Sequence, residues 1–316
     1  MTKTITAAGI DTSKVKLDVA IHGRDERWQF DNSPTGWRQL AQMLDEARVS
    51  RVGIEATGGY ERGVVAHLRE AGFIVLVLQP IQVKAFARVR LRRAKNDKID
   101  AALIAACAAI LEPPRVEPDQ RLAQLARLLT FVEQIDSDVA RFKTRLEHID
   151  EPRLRQMVLR DIAKLNTRRS AELKRIIRAL RMHEDLGRRF DLVLSVPGIG
   201  ERTAVTIVVR LPELGRLNRE QIAALAGLAP FDDDSGTRRG QRRTAGGRSQ
   251  LRRALYQAAL PASHRWNKAL IGLYANLRAK GKLHKVALVA CARKLLIYAN
   301  TVVQRGTPWV TRPAAT

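Results

Sequence analysis

The sequence predicts a mixed α/β domain at the N-terminus followed by an all-helical remainder. Three observations carry that reading. Short strand-like runs separated by turn residues fill the first 80 positions, apolar residues recur at steps of three and four from Leu122 onward, and no second set of strand-like runs follows residue 113.

The first strands are read at 5–11, 15–22 and 27–30. In the second, Val15, Leu17, Val19 and Ile21 alternate with Lys16, Asp18 and Ala20, the period of a half-buried strand. Ser33-Pro34-Thr35-Gly36 introduces a helix carrying Trp37, Leu40, Met43 and Leu44. A strand at 51–55 leads through Ala56-Thr57-Gly58-Gly59 to a helix from about 60 to 70, which Ala71-Gly72 ends. The apolar run 73–78, closed by Gln79-Pro80, has the continuous character of a strand buried on both faces. The order βββαβαβ, followed by a helix at 96–111, is that of a mixed sheet with helices on its faces.

Glu112-Pro113-Pro114 breaks the chain. Leu122, Leu125, Leu129, Val132, Val139, Phe142, Leu146 and Ile149 then follow a heptad spacing with one doubled gap. The missing position is Asp136, or Ile135 if the register shifts. The pattern pauses at Glu151-Pro152 and resumes at Leu154 through Leu165, Leu173 and Ile176 to Leu180. Two antiparallel arms of a coiled coil fit these lengths, and so does an ordinary helical bundle. The expected domains are therefore 1–112, a helical spacer at 113–188, a helical domain at 189–305 interrupted by a Gly- and Arg-rich stretch at 235–247, and a tail at 306–316.

Charge narrows the partner. The 316 residues hold 56 Lys and Arg against 32 Asp and Glu, a formal charge of +24, and the 82 residues from Ser235 onward contain 17 basic residues and no acid. Such a surface repels itself unless it meets a polyanion, of which nucleic acid is the commonest. A membrane partner is disfavoured: aromatics are 5% of the chain, and the apolar run at 101–111 is too short to span a bilayer. Cys107 and Cys291 lack metal-ligand spacing and read as buried thiols in a reducing compartment. No signal-peptide core follows Met1, so a cytoplasmic location is expected.

Four carboxylates stand out. Asp11 ends the first strand, Glu55 ends the fourth, and Asp97 and Asp100 lie one helical turn apart at the start of the helix at 96–111. If strands one and four are neighbours, all four can converge, and carboxylates so gathered stay ionised only with a cation. Oxygen ligands of this kind select Mg²⁺ or Mn²⁺, which suits in-line displacement at a phosphodiester. Each residue alone also has a plain structural reading: Asp11 as a turn residue, Asp97 as a helix N-terminal acid.

Two further segments carry chemistry. Leu194-Ser195-Val196-Pro197-Gly198-Ile199-Gly200 joins two helical segments and resembles a helix-hairpin-helix, a motif that grips the DNA backbone: Pro197 shapes the turn, and Gly198 and Gly200 let it tighten and expose amides to a phosphate. The alternative is a structural turn between helices. Asp232-Asp233-Asp234-Ser235-Gly236 precedes Arg238, Arg239, Arg242, Arg243, Arg248, Arg252 and Arg253, a cationic setting for a hydroxyl nucleophile near a phosphate. A Ser-Gly pair is by itself an ordinary turn signal, and the spacing identifies no general base.

Taken in order, Gly9-Ile10-Asp11-Thr12-Ser13-Lys14, Glu55-Ala56-Thr57-Gly58-Gly59-Tyr60 and Lys95-Asn96-Asp97-Lys98-Ile99-Asp100-Ala101 resemble the three acidic blocks of the Piv-invertase-like insertion-sequence transposases. These DEDD recombinases have an N-terminal domain similar to the RuvC junction resolvase. The resemblance implies a ribonuclease-H-like fold with Asp11, Glu55, Asp97 and Asp100 as Mg²⁺ ligands. It also implies Ser235 as the nucleophile that bonds covalently to DNA, a homo-oligomer with a composite active site, and guidance by a bridge RNA pairing with donor and target DNA. The alternatives are a metal-dependent nuclease or junction resolvase with an idle Ser235, and a non-catalytic architectural nucleic-acid binder. A sugar-kinase or actin-like ATPase would repeat the βββαβα unit, which residues 113–316 do not.

Overall fold

The computed structural model describes residues 6–90, 97–112, 119–231, 243–244 and 246–310; of 97–99, Phe231 and Arg243 it describes the backbone alone. The chain divides into two compact units, Met1–Arg115 and Val116–Thr316.

The first unit is an α/β layer structure around a five-stranded sheet. Strands β1 (Ala7–Thr12), β2 (Lys16–Ile21), β3 (Arg27–Asp31), β4 (Arg51–Glu55) and β5 (Ile74–Leu78) lie in the order β3-β2-β1-β4-β5. β1 pairs antiparallel with β2 and parallel with β4, so the sheet is mixed, with its first strand at the centre. Leu17, Val19 and Ile21 face one core together with Ala8, Ile10, Val52 and Ile54, against helices α1 (Pro34–Glu46) and α2 (Arg62–Glu70). Ser33 caps α1, accepting from the Gly36 amide at 3.3 Å, as its sequence signal leads one to expect. Val15, placed by alternation in the second strand, lies outside it and is exposed.

The other face is covered by α4 (Asp97–Ile110), with Ala7, Leu76, Leu78, Leu103, Ile104 and Cys107 in a second core. A further helix, α3 (Pro80–Val89), follows β5 where the sequence pattern marks only a strand boundary. Gln79 and Gln82 exchange a capping box there, and of its residues only Val83 is buried, too sparse a stripe to read as a helical period.

Among the described residues, the second unit is helical apart from two short strands. α5 (Gln120–Leu146) and α6 (Pro152–Arg181) form a hairpin folded at Pro152. Ile135, not Asp136, completes the apolar stripe, and with Val139 and Ile162 it makes a small separate core. Asp136 instead accepts from Arg169 on α6 at 3.2 Å and from Arg202 on α8 (Glu201–Arg210), so the acid joins three helices. Leu154 departs from the expected stripe: it is exposed, as are Met157 and Leu159.

At the base of the hairpin, Leu122, Leu125, Leu129, Ile176 and Leu180 share one core with α7 (Glu184–Leu194), α8, α9 (Arg219–Leu225), α10 (Ser249–Pro261) and α12 (His284–Arg305). A π-helical turn (Ala262–Trp266) and α11 (Lys268–Ala279) connect α10 to α12. β6 (Pro230–Phe231), just before the non-helical interruption expected at 235–247, pairs antiparallel with β7 (Arg243–Thr244) inside it. α12 is the one helix among the described residues long and apolar enough to cross a membrane, and half of its apolar window is buried in this core. Cys291 lies in it, its thiol pushed up to about 11 by burial. Cys107 is buried in the first unit.

Candidate functional site

The first unit brings Asp11 and Glu55 to one face of the sheet through strand register. β1 and β4 are parallel with Ile10 opposite Ile54, so Asp11 and Glu55 occupy the next rung at the carboxyl end of both strands. Side chains two apart in a strand share a face. Gly9 and Gly53 therefore report which face that is, and both lie against α4. A Cβ on Gly9 would stand 2.2 Å from the Ala101 carbonyl oxygen and 2.2 Å from the Ala105 amide nitrogen, and one on Gly53 would stand 2.7 Å from the Ala108 Cβ.

The direction of α4 follows from the same contacts. Arg51 Nη1 donates to the carbonyls of Ala108 (3.1 Å) and Leu111 (2.7 Å), and Gly53 meets Ile104 and Ala108. Advancing two residues along a strand covers about 6.6 Å, the rise of roughly four helical residues. α4 thus runs antiparallel to β4. The next step along β4, Glu55, faces the turn that holds Asp100, and the step beyond Gly9 along β1, Asp11, faces the turn Asp97–Ala101. The glycines let the helix approach so closely; a bulkier strand would hold the acid-bearing turn away.

Two side chains absent from the sequence reading fix the loops that carry these acids. Asn32 Nδ2 donates to the Ser13 carbonyl (2.9 Å), just after Asp11, and to the Tyr60 carbonyl (3.1 Å), five residues after Glu55; its Oδ1 accepts from Trp37 Nε1 at 2.8 Å. Glu61 Oε2 accepts from the Thr57 and Gly59 amides at 3.2 and 3.0 Å and from Thr57 Oγ1 at 2.5 Å. Asp18, opposite Asp11 on β2, adds a further carboxylate to the same row. It accepts from Gln29 Nε2 at 2.6 Å and faces Lys16 at 3.6 Å.

Asp11, Glu55 and Asp100 each have a partner within the fold. Among the described side chains, which exclude that of Asp97, no group of three or more His, Cys, Asp or Glu stands assembled to hold a metal ion. The donor set nevertheless fits a hard divalent cation, because the acids that register and helix direction bring toward one end of the sheet are all oxygen ligands.

In the second unit, Ser235, Arg238, Arg239 and Arg242, with Asp232, Asp233 and Asp234, lie outside the described residues, as does the side chain of Arg243. The ends of that segment are fixed: β6 and β7 pair Phe231 with Arg243, so the segment carrying Ser235 leaves and re-enters at neighbouring positions. Beyond it, Arg248 is bidentate to Glu213, with both N–O distances 2.7 Å. Burial tends to raise the Glu213 carboxyl, but hydrogen bonding and charge from Arg248 outweigh it and hold the group below its usual range. Arg252 Nη1 donates to the Gly246 carbonyl at 2.5 Å, while Arg253 is exposed on α10. Of the arginines expected to contact nucleic acid, Arg248 and Arg252 are thus engaged in holding the end of this loop.

The turn at 195–200 lies between α7 and α8. Gly198 has φ +95°, and a Cβ there would stand 2.3 Å from the Ala262 Cβ. The Pro197 carbonyl accepts from Asn267 Nδ2 at 3.0 Å. Pro197 and Gly198 therefore dock the turn on the π-helical segment, and Gly200, the N-cap of α8, is exposed. His264 and His284, remote from Ser235 in sequence, meet at Tyr274. Its hydroxyl lies 2.6 Å from His284 Nδ1, and its ring centroid lies 4.8 Å from that of His264.

Comparison with known proteins covers both units. Residues 8–149 match a family model described as Transposase, and residues 190–275 match one described as Transposase IS116/IS110/IS902 family. The chain is 25% identical over 319 aligned residues to the pilin gene-inverting protein of Moraxella bovis, covering 96% of this chain and 97% of that one. It is 32% identical over 126 residues to an insertion element IS110 uncharacterized 43.6 kDa protein of Streptomyces coelicolor, covering 39% of this chain and 31% of that one. Among solved structures, Thermus thermophilus RuvC in complex with a Holliday junction substrate is similar at 18% identity, covering 33% of this chain and 91% of that chain with a TM-score of 0.27.

Proposed function

Because the chain belongs to the IS110-type family of transposases and recombinases, we propose that it cleaves and rejoins DNA strands at the ends of a mobile element. The observation that carries this reading is the register of β1 and β4 against α4, which turns Asp11 and Glu55 toward the helical turns of Asp97 and Asp100. Those four residues would hold Mg²⁺ or Mn²⁺. When bound, such an ion supplies positive charge against the charge developing on a phosphodiester.

Ser235 is the proposed nucleophile. Its Oγ forms a bond to phosphorus as the bond to the deoxyribose 3′-oxygen breaks; the serine loses its proton and the departing 3′-oxygen gains one. Attack of another 3′-hydroxyl on the phosphoserine reverses the chemistry and joins new partners. Supporting the role are the position of Ser235 inside the second family match and the arginines that crowd its segment. An oligomer with the acidic site of one protomer acting beside the serine of another, and guidance by a bridge RNA, complete the proposal. Their support is the resemblance of the motifs together with the +24 charge.

The test uses DNA carrying the element's own ends. Wild type should leave a protein–DNA adduct that survives denaturation, and Ser235→Ala should leave none while retaining the wild-type fold. Strand exchange undiminished in Ser235→Ala would instead favour a resolvase-like nuclease. Sequencing the RNA that co-purifies with the protein tests guidance: a discrete species is expected, and its absence would overturn that part.

A further inference from the structure

An open cleft of about 780 Å³ lies in the second unit between α7, the turn after α8 and the end of α12. Four arginines line it: Arg188 and Arg189 from α7, Arg216 from the turn, and Arg305 from α12. Arg189 is half-buried, and that burial first, with Arg216 second, weakens its hold on its proton, Asp185 and Asp119 offsetting only part of the effect. Among the described residues, the side chains of Arg189 and Arg216 make no ion pair or hydrogen bond. Two acids also line the cleft, the exposed Glu184 and Asp185; Asp185 is committed to Arg121, which donates to its two carboxylate oxygens at 3.0 and 2.9 Å and also holds Asp119. Arg188 is likewise turned aside, donating to the Gly306 carbonyl at 3.2 Å.

Two guanidiniums that face each other in a partly desolvated cleft repel unless an anion lies between them. Guanidinium forks match the oxygens of a phosphate, and an open cleft suits a phosphate on a continuous chain better than one enclosed as a small ligand. We propose that this cleft binds a backbone phosphodiester of a nucleic-acid strand through Arg189 and Arg216, at a site separate from the Ser235 loop. The inference rests on the recombinase reading to the extent that nucleic acid is the substrate.

The experiment measures binding of full-length protein to a labelled random-sequence DNA duplex and to a single-stranded RNA across a series of NaCl concentrations. Each lost phosphate contact lowers the slope of log affinity against log salt by about 0.9 on duplex DNA and about 0.7 on a single strand. Arg216→Gln and Arg189→Gln should each lower the slope by roughly that amount on at least one of the two probes. Arg189→Lys should keep it, and Arg175→Gln, which removes equal charge from an exposed site on α6, should change it less. Arg216 is exposed, so its variant reports even if the half-buried Arg189 cannot be replaced without unfolding. Variants whose slopes equal wild type on both probes would overturn the cleft proposal alone, whereas salt-independent binding by wild type would sink the nucleic-acid reading itself. A free-anion site is the remaining outcome. Inorganic phosphate would then raise the melting temperature of wild type but not of Arg216→Gln, with strand-binding slopes unchanged, and the strand proposal would fail.

Discussion

Replacing Gly9 by alanine adds one methyl where the sheet has no room for it. The new Cβ would stand 2.2 Å from the Ala101 carbonyl oxygen, 2.2 Å from the Ala105 nitrogen and 2.8 Å from the Ala105 Cα, all backbone atoms of α4. Restoring a separation of 3.4 Å requires α4 to retreat by roughly 1.2 Å, since no rotamer can relieve a backbone clash. Overpacking of this kind costs about 1–3 kcal/mol. For a unit of this size each kcal/mol lowers a melting temperature by about 4–8 °C. Function should suffer more than stability, because α4 carries Asp97 and Asp100, the proposed metal ligands, and a misplacement of about 1 Å in a catalytic constellation costs on the order of 100-fold. The assay pairs thermal unfolding with metal-dependent cleavage of element-end DNA, at a temperature where the variant remains folded. Gly272→Ala is the control: nothing lies within 4 Å of its added Cβ, and alanine in α11 should be neutral or stabilising by about 0.5–1 kcal/mol. A Gly9→Ala protein with wild-type melting and cleavage would refute the close approach of α4 to β1.

Two other perturbations follow from the same geometry. Asn32→Ala removes the donor that ties the loop after Asp11 to the loop after Glu55, and the acceptor of the Trp37 indole. It should cost about 1–3 kcal/mol and lower cleavage without abolishing it, as melting and cleavage curves on one preparation will read. The Glu213–Arg248 pair sets an acid limit for the second unit. Glu213 titrates below its ordinary value of 4.5 when folded, so its contribution is complete above that value and is lost as pH falls through the lower folded value. Asp119 and Asp185, both held down by Arg121, act in the same direction from 3.8. Glu213→Gln should therefore lower stability at neutral pH and shrink the further loss seen below about pH 4.5; denaturant melts across that range give the answer.

Much of the first unit is legible from local pattern. Ser33 signals α1, the alternation Leu17, Val19, Ile21 marks β2, and the motif acids fall at strand and helix ends because those ends are where a sheet exposes polar groups. Contacts between distant segments are not legible in this way. Asn32 looks like any turn residue until Ser13 and Tyr60 are brought to it, and Asp18 shows its place beside Asp11 only once β1 and β2 are paired. Asp136 stands beside the apolar stripe that Ile135 completes, and its partners, Arg169 and Arg202, lie 33 and 66 residues away. Leu154 satisfies a heptad on paper yet is exposed, since spacing alone does not say which turns of a helix have a neighbour. The docking of Pro197 and Gly198 on the turn at Ala262 likewise depends on a segment more than 60 residues downstream.

The proposed metal site at the end of the central strands is tested most directly by metal binding itself. Titration of the full chain with Mn²⁺, followed by electron paramagnetic resonance, reads occupancy without any DNA. Wild type should bind the ion, and Asp11→Asn, Glu55→Gln, Asp97→Asn and Asp100→Asn should each weaken binding by about tenfold or more while melting as wild type does. Four variants that bind Mn²⁺ as wild type does, or a wild-type chain that binds none, would contradict the assignment.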